Sequence, residues 1–173
     1  MRISKLNLLY AEMKSSILRI TDADEVLLGT GFVISNHDGH TIVMTCGHIF
    51  KDSGAKICVD GRPANILLNK YSSGLDLAAL EVRDEVYPPL KLAQHGRVNT
   101  AYVEGYTLLN SDIKKERISE ITIKDEVTIY KGVDNLPVFH LKLYAKEKIS
   151  KGYSGHLWCA VTPIWLLVWF VWS

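Results

Sequence analysis

Short apolar segments alternate with polar turns along most of the chain. The segments are rich in β-branched and aromatic residues, and Gly, Asp, Asn, Ser or Pro separate them. Segments of this composition between turn residues predict β-strands. The predicted strands are Ser16–Ile20, Val26–Ser35, Thr41–Thr45, Lys56–Val59, Arg62–Lys70, Leu77–Val82, Thr100–Gly105, Arg117–Lys124, Val127–Val133 and Val138–Leu143. Strands at this spacing are typical of an all-β barrel or sandwich.

Turn residues and changes of composition divide the chain into four parts. Turns are predicted at Asn36–Gly39, Asp60–Gly61, Ser72–Gly74, Pro88–Pro89 and Asp134–Asn135. Pro88–Pro89 and the polar stretch Gln94–Asn99 indicate a boundary between two halves. The parts are a lead-in at 1–14, a first half at 15–93, a second half at 94–156 and an apolar tail at 157–173. A short amphipathic helix is the alternative for Lys5–Ile17, which has apolar residues along one face.

The overall composition limits the classes of protein to consider. Lys plus Arg is 20 and Asp plus Glu is 19, so the net charge of +1 removes the main argument for a nucleic-acid partner. A hydrophobic fraction of 47% indicates a globular protein. A secretory signal would need an unbroken apolar run after the basic start at Met1, but Glu12, Lys14 and Arg19 intervene. We therefore expect an intracellular, cytoplasmic protein.

The sequence carries no signature of a metal, nucleotide or other cofactor site. The three cysteines, Cys46, Cys58 and Cys159, form neither a disulfide framework nor a metal-ligand spacing. No HExxH, CxxC or phosphate-binding Gly-x-x-x-x-Gly-Lys-[Ser/Thr] string occurs. We therefore predict no metal and no cofactor.

The last residues differ in composition from the rest of the chain. Every charged residue lies at or before Lys151, and all four tryptophans lie in the last 16 positions. Three explanations compete for Leu157–Trp172: a short membrane anchor interrupted by Pro163, a buried strand pair, or a change of reading frame in the gene after about Gly155. We favour the change of reading frame, and predict that the tail is not native to the fold.

Three sites along the chain carry residues suited to catalysis. His48 follows the apolar strand Thr41–Thr45 and a glycine, which places an imidazole at the edge of a strand. Asp76 begins the apolar segment Asp76–Leu80, where a carboxylate needs hydrogen-bond partners if it is buried. Gly152–Gly155 reads Gly-Tyr-Ser-Gly, a turn that presents the hydroxyl of Ser154. Each site alone has an ordinary structural explanation: a structural histidine, an exposed aspartate at the start of a strand, and a surface turn.

The order and spacing of the motifs are more specific than any one of them. Gly29–Ile34, Thr45–His48, Asp76–Leu80 and Gly152–Gly155 occur in this order. The region 15–155 thereby resembles a trypsin-like serine peptidase, most closely the bacterial Deg/Htr type. The resemblance implies two antiparallel β-barrels of six strands each, with the site between them.

The resemblance also implies a role for each site residue. Ser154 would be the nucleophile, His48 the general base, and Asp76 the residue that orients the imidazole. The backbone N–H groups of Gly152 and Ser154 would form the oxyanion hole. Ile149 would line a pocket that favours aliphatic residues of the substrate, and Lys148 is the alternative, admitting an acidic one. The partner would be a protein or peptide substrate.

The chain departs from the family after the nucleophile turn. Gly155 is followed by His156 and Leu157 instead of a small residue and Pro, and 19 residues follow Ser154. We therefore predict that the second barrel is incomplete and that the enzyme is impaired or prone to aggregate. The alternatives are a pseudo-protease or interaction module that binds peptides without cleaving them, and a protein that is tethered to a membrane by its tail. The sequence does not identify a regulatory partner or an oligomeric state.

Overall fold

A computed structural model describes residues 15–51, 56–73, 76–90, 101–131, 134–143, 157–160 and 168–169. For 101–103 and for the strands from 117 onward, only the backbone is described. The strands are β1 Ile17–Asp22, β2 Leu27–His37, β3 His40–Thr45, β4 Ile57–Val59, β5 Arg62–Asn69, β6 Ala78–Arg83, β7 Ala101–Leu109, β8 Asp112–Lys131, β9 Asp134–Leu143, β10 Leu157–Ala160 and β11 Val168–Trp169. Short 3-10 helices lie at Gly47–Phe50 and Tyr71–Ser73. The all-β prediction is confirmed. Over the described ranges, no helix has the length and apolar character needed to cross a membrane.

The first half is a closed barrel of six antiparallel strands. Their order is β1-β2-β3-β6-β5-β4, and pairing of β4 with β1 closes the ring. Alternate side chains of β3 and β6 point inward, because successive residues of a strand face opposite sides. The buried apolar core is Leu18, Ile20, Val33, Val43, Phe50, Ile57, Val59, Ala78, Leu80 and Val82. This barrel is the rigid support for the segments that lead into His48 and Asp76.

Within the described ranges, three tight hairpins connect neighbouring strands through two-residue turns. Asp38–Gly39 joins β2 to β3, Asp60–Gly61 joins β4 to β5, and Asn110–Ser111 joins β7 to β8. All six residues have positive φ, between 48° and 81°. Turns of this kind match the twist of the strands and favour Asp, Asn and Gly. The first two turns were predicted from the sequence, whereas Asn110–Ser111 was not, because it has no glycine.

The second half is a five-stranded sheet in the order β11-β10-β7-β8-β9. The sequence predicted separate strands at 117–124 and 127–133, but one strand, Asp112–Lys131, covers both. The register shifts between Ile123 and Glu126, where the sequence predicted a break between two strands. A bulge accommodates the polar residues there without ending the strand. Over the described residues the sheet is open, which agrees with the predicted incomplete second barrel.

Two pieces of the apolar tail take part in the second sheet. Leu157–Ala160 pairs antiparallel with Ala101–Glu104 of β7, and Val168–Trp169 pairs with Leu157 and Trp158. The tail therefore supplies two neighbouring strands at one side of this sheet, with β11 at the edge. Whether the tail arose by a change of reading frame is a question about the gene, and it stays a prediction, as do the domain limits and the lead-in at 1–14, which lies outside the described residues.

Thr30 of β2 links the two halves close to the first catalytic candidate. Its hydroxyl accepts a hydrogen bond of 2.8 Å from the backbone N–H of Tyr106 in β7. Its carbonyl accepts a hydrogen bond of 2.8 Å from the hydroxyl of Thr45, the last residue of β3. Both threonines have no exposed surface. Thr30 thus connects the end of β3, which leads into His48, to the second sheet through two hydrogen bonds.

Candidate active site

His48 lies where β3 gives way to a short 3-10 helix. Thr45 ends the strand, Cys46 is extended with φ −74° and ψ 142°, and the helical turn begins at Gly47. The imidazole is 26% exposed, so one side of the ring reaches solvent. The position at a strand edge that was predicted for this residue is the one observed.

Asp76 lies just before β6 and contacts His48 through both carboxylate oxygens. Its Oδ2 lies 2.6 Å from Nδ1 of His48, and its Oδ1 accepts the backbone N–H of His48 at 2.7 Å. The carboxylate is only 5% exposed. Moving an unpaired carboxylate from water into the protein interior costs on the order of several kcal/mol. The two hydrogen bonds from His48 offset that cost. The alternative explanation for Asp76, an exposed aspartate at the start of a strand, is wrong. Asp76 comes just before β6 and packs against the helical turn that carries His48.

The geometry selects one tautomer of the His48 ring. A carboxylate only accepts hydrogen bonds, so Nδ1 carries the hydrogen that is shared with Asp76. In the neutral ring the lone pair is then on Nε2. The nitrogen that can accept a proton is therefore Nε2, which does not contact the aspartate.

Gly47 allows the close approach that brings these elements together. A Cβ atom at this position would lie 2.6 Å from Oδ1 of Asn69, 2.9 Å from Cβ of Tyr71 and 3.3 Å from the carbonyl oxygen of Leu77. Asn69 donates from Nδ2 to the Gly47 carbonyl at 3.3 Å and accepts the backbone N–H of Tyr71 at 3.0 Å. The end of β5 is thus packed directly on the turn that carries His48.

Tyr71 and Asn69 are parts of the site that the sequence did not reveal. The Tyr71 ring meets the His48 ring edge-on, with the centroids 6.4 Å apart and an angle of 60° between the planes. A tyrosine after a predicted strand has no local signature that distinguishes it from any other loop residue. Only the barrel topology, in which β5 pairs with β6 and β6 pairs with β3, places it beside the imidazole.

Cys46 completes a small cluster of polar side chains. It has no exposed surface, and neither it nor Cys58 is in a disulfide. One donor atom from each of Cys46, His48 and Asp76 lies within 4.8 Å of the others. Over the described residues this is the group of side chains able to hold a metal ion, whereas the sequence predicted none.

Tyr106 and Lys115 lie at the seam between the halves. The Lys115 ammonium donates to the backbone carbonyl of Ile17 at 2.7 Å and lies 5.1 Å from the centroid of the Tyr106 ring. Burial raises the pKa of Tyr106 to about 12, and the negative charge of Asp60 adds to the rise. The phenol of Tyr106 therefore stays neutral at physiological pH. The contacts of Lys115 and Tyr106 at the seam are polar.

The remaining candidates are not among the described residues. Ser154 and Gly152, predicted for the nucleophile and the oxyanion hole, and Ile149 and Lys148, predicted for the substrate pocket, lie outside the described ranges. The structure therefore brings together His48 and Asp76, which are 28 positions apart in the chain. The roles of all six residues stay predictions.

Comparison with known families identifies the fold and the class. The sequence model of the trypsin-like peptidase domain matches residues 29–155. The chain belongs to this family. The match includes the motifs around His48, Asp76 and Ser154, and the prediction of a trypsin-like serine protease is confirmed. A comparison with curated proteins found no match.

Solved structures of this peptidase family share the fold. An inactive serine-to-alanine form of Rv3671c from Mycobacterium tuberculosis H37Rv is 20% identical, with a TM-score of 0.62 over 90% of this chain and 77% of its own. Deg5 is 13% identical, with a TM-score of 0.59 over 92% and 83%. The serine endoprotease from Yersinia pestis is 15% identical, with a TM-score of 0.56 over 92% and 55%. At these identities the likeness concerns the fold alone.

Proposed function

We propose that this peptidase domain is a serine endopeptidase that cleaves protein or peptide substrates through an acyl-enzyme. His48 acts as the general base, Asp76 orients it, and Ser154 is the nucleophile. The observation that carries the proposal is the pair of hydrogen bonds from His48 to Asp76, of 2.6 Å and 2.7 Å, in a domain of the trypsin-like family.

The geometry of the pair suits the first chemical step. A serine hydroxyl is a weak nucleophile until a base accepts its proton. Nε2 of His48 takes the proton from Oγ of Ser154 as Oγ bonds to the carbonyl carbon of the substrate. The ring then carries a positive charge, and the buried carboxylate of Asp76 stabilises that charge across a 2.6 Å contact.

The later steps return the proton and release the products. The imidazolium of His48 gives its proton to the departing amine nitrogen as the C–N bond breaks, which leaves an ester on Ser154. Water, activated by the same ring, then hydrolyses the ester. The N–H groups of Gly152 and Ser154 stabilise the oxyanion in both stages, and each donor of this kind contributes about 3–4 kcal/mol.

Selectivity is proposed from the segment before Ser154. Ile149 favours an aliphatic side chain before the cut bond, and Lys148 would instead favour an acidic one. A peptide library cleaved by the wild-type chain and by Ile149→Ala and Lys148→Ala separates the two. Loss of the aliphatic preference only in Ile149→Ala supports the first, and loss of an acidic preference only in Lys148→Ala supports the second.

A fluorophosphonate probe tests the proposed activity, because it labels only a serine that is activated as a nucleophile. We expect labelling of the full chain, and loss of labelling in Ser154→Ala and in His48→Ala. Ser35→Ala and His40→Ala serve as matched controls, because Ser35 is exposed on β2 and His40 forms a separate hydrogen bond, 2.9 Å from Glu81. Circular dichroism establishes that each variant is folded.

One outcome of the labelling experiment would contradict the proposed activity. A folded wild-type chain that the probe does not label has no activated serine. Binding of a peptide by such an unlabelled chain would instead indicate the non-catalytic alternative. Slow labelling that depends on Ser154 and His48 would agree with an enzyme that the unusual C-terminal segment impairs.

A further inference from the structure

In the described part of the chain, the thiol of Cys46 lies close to the His48–Asp76 pair, and the three side chains together could bind a metal ion. Cys46 lies two residues before His48 and has no exposed surface. One donor atom from each of the three side chains lies within 4.8 Å of the others. A thiol, an imidazole and a carboxylate are three of the ligand types that zinc binds in proteins.

We propose that Cys46, His48 and Asp76 form a binding site for a thiophilic divalent cation such as Zn²⁺. The proposal concerns metal binding itself and does not depend on the proposed peptidase activity. Thiolate and imidazole ligands favour zinc and its neighbours over magnesium and calcium, which prefer oxygen ligands. The fourth position would be taken by water.

The distances allow such a site after a small rearrangement. With Zn–S near 2.3 Å and Zn–N or Zn–O near 2.0 Å, adjacent ligand atoms of a tetrahedral zinc with one sulfur ligand lie roughly 3.3–3.5 Å apart. The upper limit of 4.8 Å among the three donor atoms is wider than this range. Nδ1 of His48 and Oδ2 of Asp76 are 2.6 Å apart, so this pair has to open while the thiol moves closer.

The charges of the three ligands also fit a divalent cation. A thiolate from Cys46 and the carboxylate of Asp76 together carry two negative charges, and the imidazole binds as a neutral ligand. The bound ion would therefore leave no net charge in a largely buried place, where an uncompensated charge is costly. The metal would take the place of the hydrogen between Nδ1 and Oδ2. The ring would then carry its hydrogen on Nε2 and stay neutral, and the proton of the thiol would pass to solvent.

One consequence follows if the proposed function is also correct. The hydrogen bond that orients His48 as a base is the contact that the metal replaces. The metal-bound chain would therefore lose labelling by the fluorophosphonate probe, and a chelator would restore it. Zinc would slow the labelling of Cys46→Ser less than that of wild type, each relative to its own zinc-free rate, because the variant lacks the thiolate ligand.

Cobalt(II) is the direct test, because its spectrum reports thiolate ligation whether or not the chain is active. We expect titration of the full reduced chain with Co²⁺ to produce a thiolate-to-cobalt charge-transfer band and intense tetrahedral d–d bands, and Zn²⁺ to displace both. Cys46→Ser should lose the charge-transfer band, and Cys46→Ser and Asp76→Asn should each weaken Co²⁺ binding by at least roughly 10-fold. Cys58→Ser and Cys159→Ser are the matched controls and should keep the band.

Several results would overturn the site. The absence of a charge-transfer band in the folded wild-type chain would do so, as would a band that survives in Cys46→Ser or disappears in Cys58→Ser or Cys159→Ser. Should Cys46→Ser fold poorly, Cys46→Ala serves as the second variant. Cobalt bands together with a chain that the fluorophosphonate probe does not label would support the metal site and contradict the peptidase.

Discussion

Asp76 accepts two hydrogen bonds from one residue, His48: the ring Nδ1–H bonds to Oδ2 at 2.6 Å, and the backbone N–H bonds to Oδ1 at 2.7 Å. The first contact selects the ring tautomer, and the second fixes the carboxylate relative to the backbone that carries the ring. Both contacts join segments of the barrel that β4 closes against β1. This arrangement is the basis of the predictions for the site.

Asp76→Asn should slow labelling by the fluorophosphonate probe by about 10⁴-fold, the loss that this change causes in the Ser-His-Asp template. The amide would present a donor or a weaker acceptor to Nδ1, so the ring would favour the wrong tautomer and its positive charge would lose its partner. Labelling rates of wild type and variant at equal probe concentration provide the measurement.

Glu81→Gln is the matched control for Asp76→Asn. Glu81 pairs with a different histidine, His40, at 2.9 Å on the outside of the barrel. Arg83 and His40 lower the pKa of Glu81 through hydrogen bonds. The variant removes a His–carboxylate pair without touching the site, so its labelling rate should equal that of wild type. A large loss in Glu81→Gln, or none in Asp76→Asn, would contradict the roles assigned to the pair.

Gly47→Ala should destabilise the fold by about 1–3 kcal/mol, as overpacked positions do, and should also slow labelling. The added methyl group would lie 2.6 Å from Oδ1 of Asn69, so the turn that carries His48 has to shift. Urea unfolding followed by circular dichroism measures the free energy of unfolding, and the probe measures the activity.

Gly39→Ala separates the effect on activity from the effect on stability. Gly39 has φ +77° and no heavy atom within 4 Å of its added Cβ, so the variant is strained but not crowded. We expect a loss of roughly 1–2 kcal/mol, the cost of the left-handed region, with an unchanged labelling rate. If Gly47→Ala labelled as fast as Gly39→Ala, the packing around Gly47 would not position His48.

Leu80→Ala should lower the free energy of unfolding by about 2–5 kcal/mol, because it creates a cavity in the barrel core. Leu80 has no exposed surface and belongs to the central cluster. Leu67→Ala in β5 is the control: Leu67 is 53% exposed, and a change there should stay within about 0.5 kcal/mol. Equal losses in the two variants would contradict the closed barrel.

Tyr106 should make the stability depend on pH in the alkaline range. Its folded pKa of about 12 is raised above the ordinary value of 10.0. The stabilisation from this group is therefore complete below pH 10 and is lost as the pH rises from 10 towards 12. After a discount for solvent screening, the contribution is on the order of 1–2 kcal/mol.

Tyr106→Phe isolates this contribution. Urea unfolding of both proteins at pH 8 and at several values above 10 gives the comparison, and the wild type should lose more stability than the variant over that interval. Other tyrosines and lysines titrate in both proteins and cancel in the difference. Parallel curves for the two proteins would indicate that the phenol at the seam is not protected by burial.

Much of the first barrel follows from local patterns. The turns at Asp38–Gly39 and Asp60–Gly61 are predictable, because two-residue hairpins require positive φ and these residue types accept it. The strand limits differ from prediction by a few residues at most in this half. The single strand Asp112–Lys131 was missed because polar residues at a bulge resemble a turn when only neighbours in the sequence are considered.

The sequence by itself determined the fold class, the order of the motifs and the family, because these depend on residue type and spacing along one dimension. Only the tertiary structure decided that Asp76 is buried against His48, that Asn69 and Tyr71 pack on the same turn, and that the thiol of Cys46 lies beside both members of the pair. These contacts join positions on different strands, and their distances depend on how the barrel closes. Barrel closure is a property of all six strands together, so no segment of the sequence contains it.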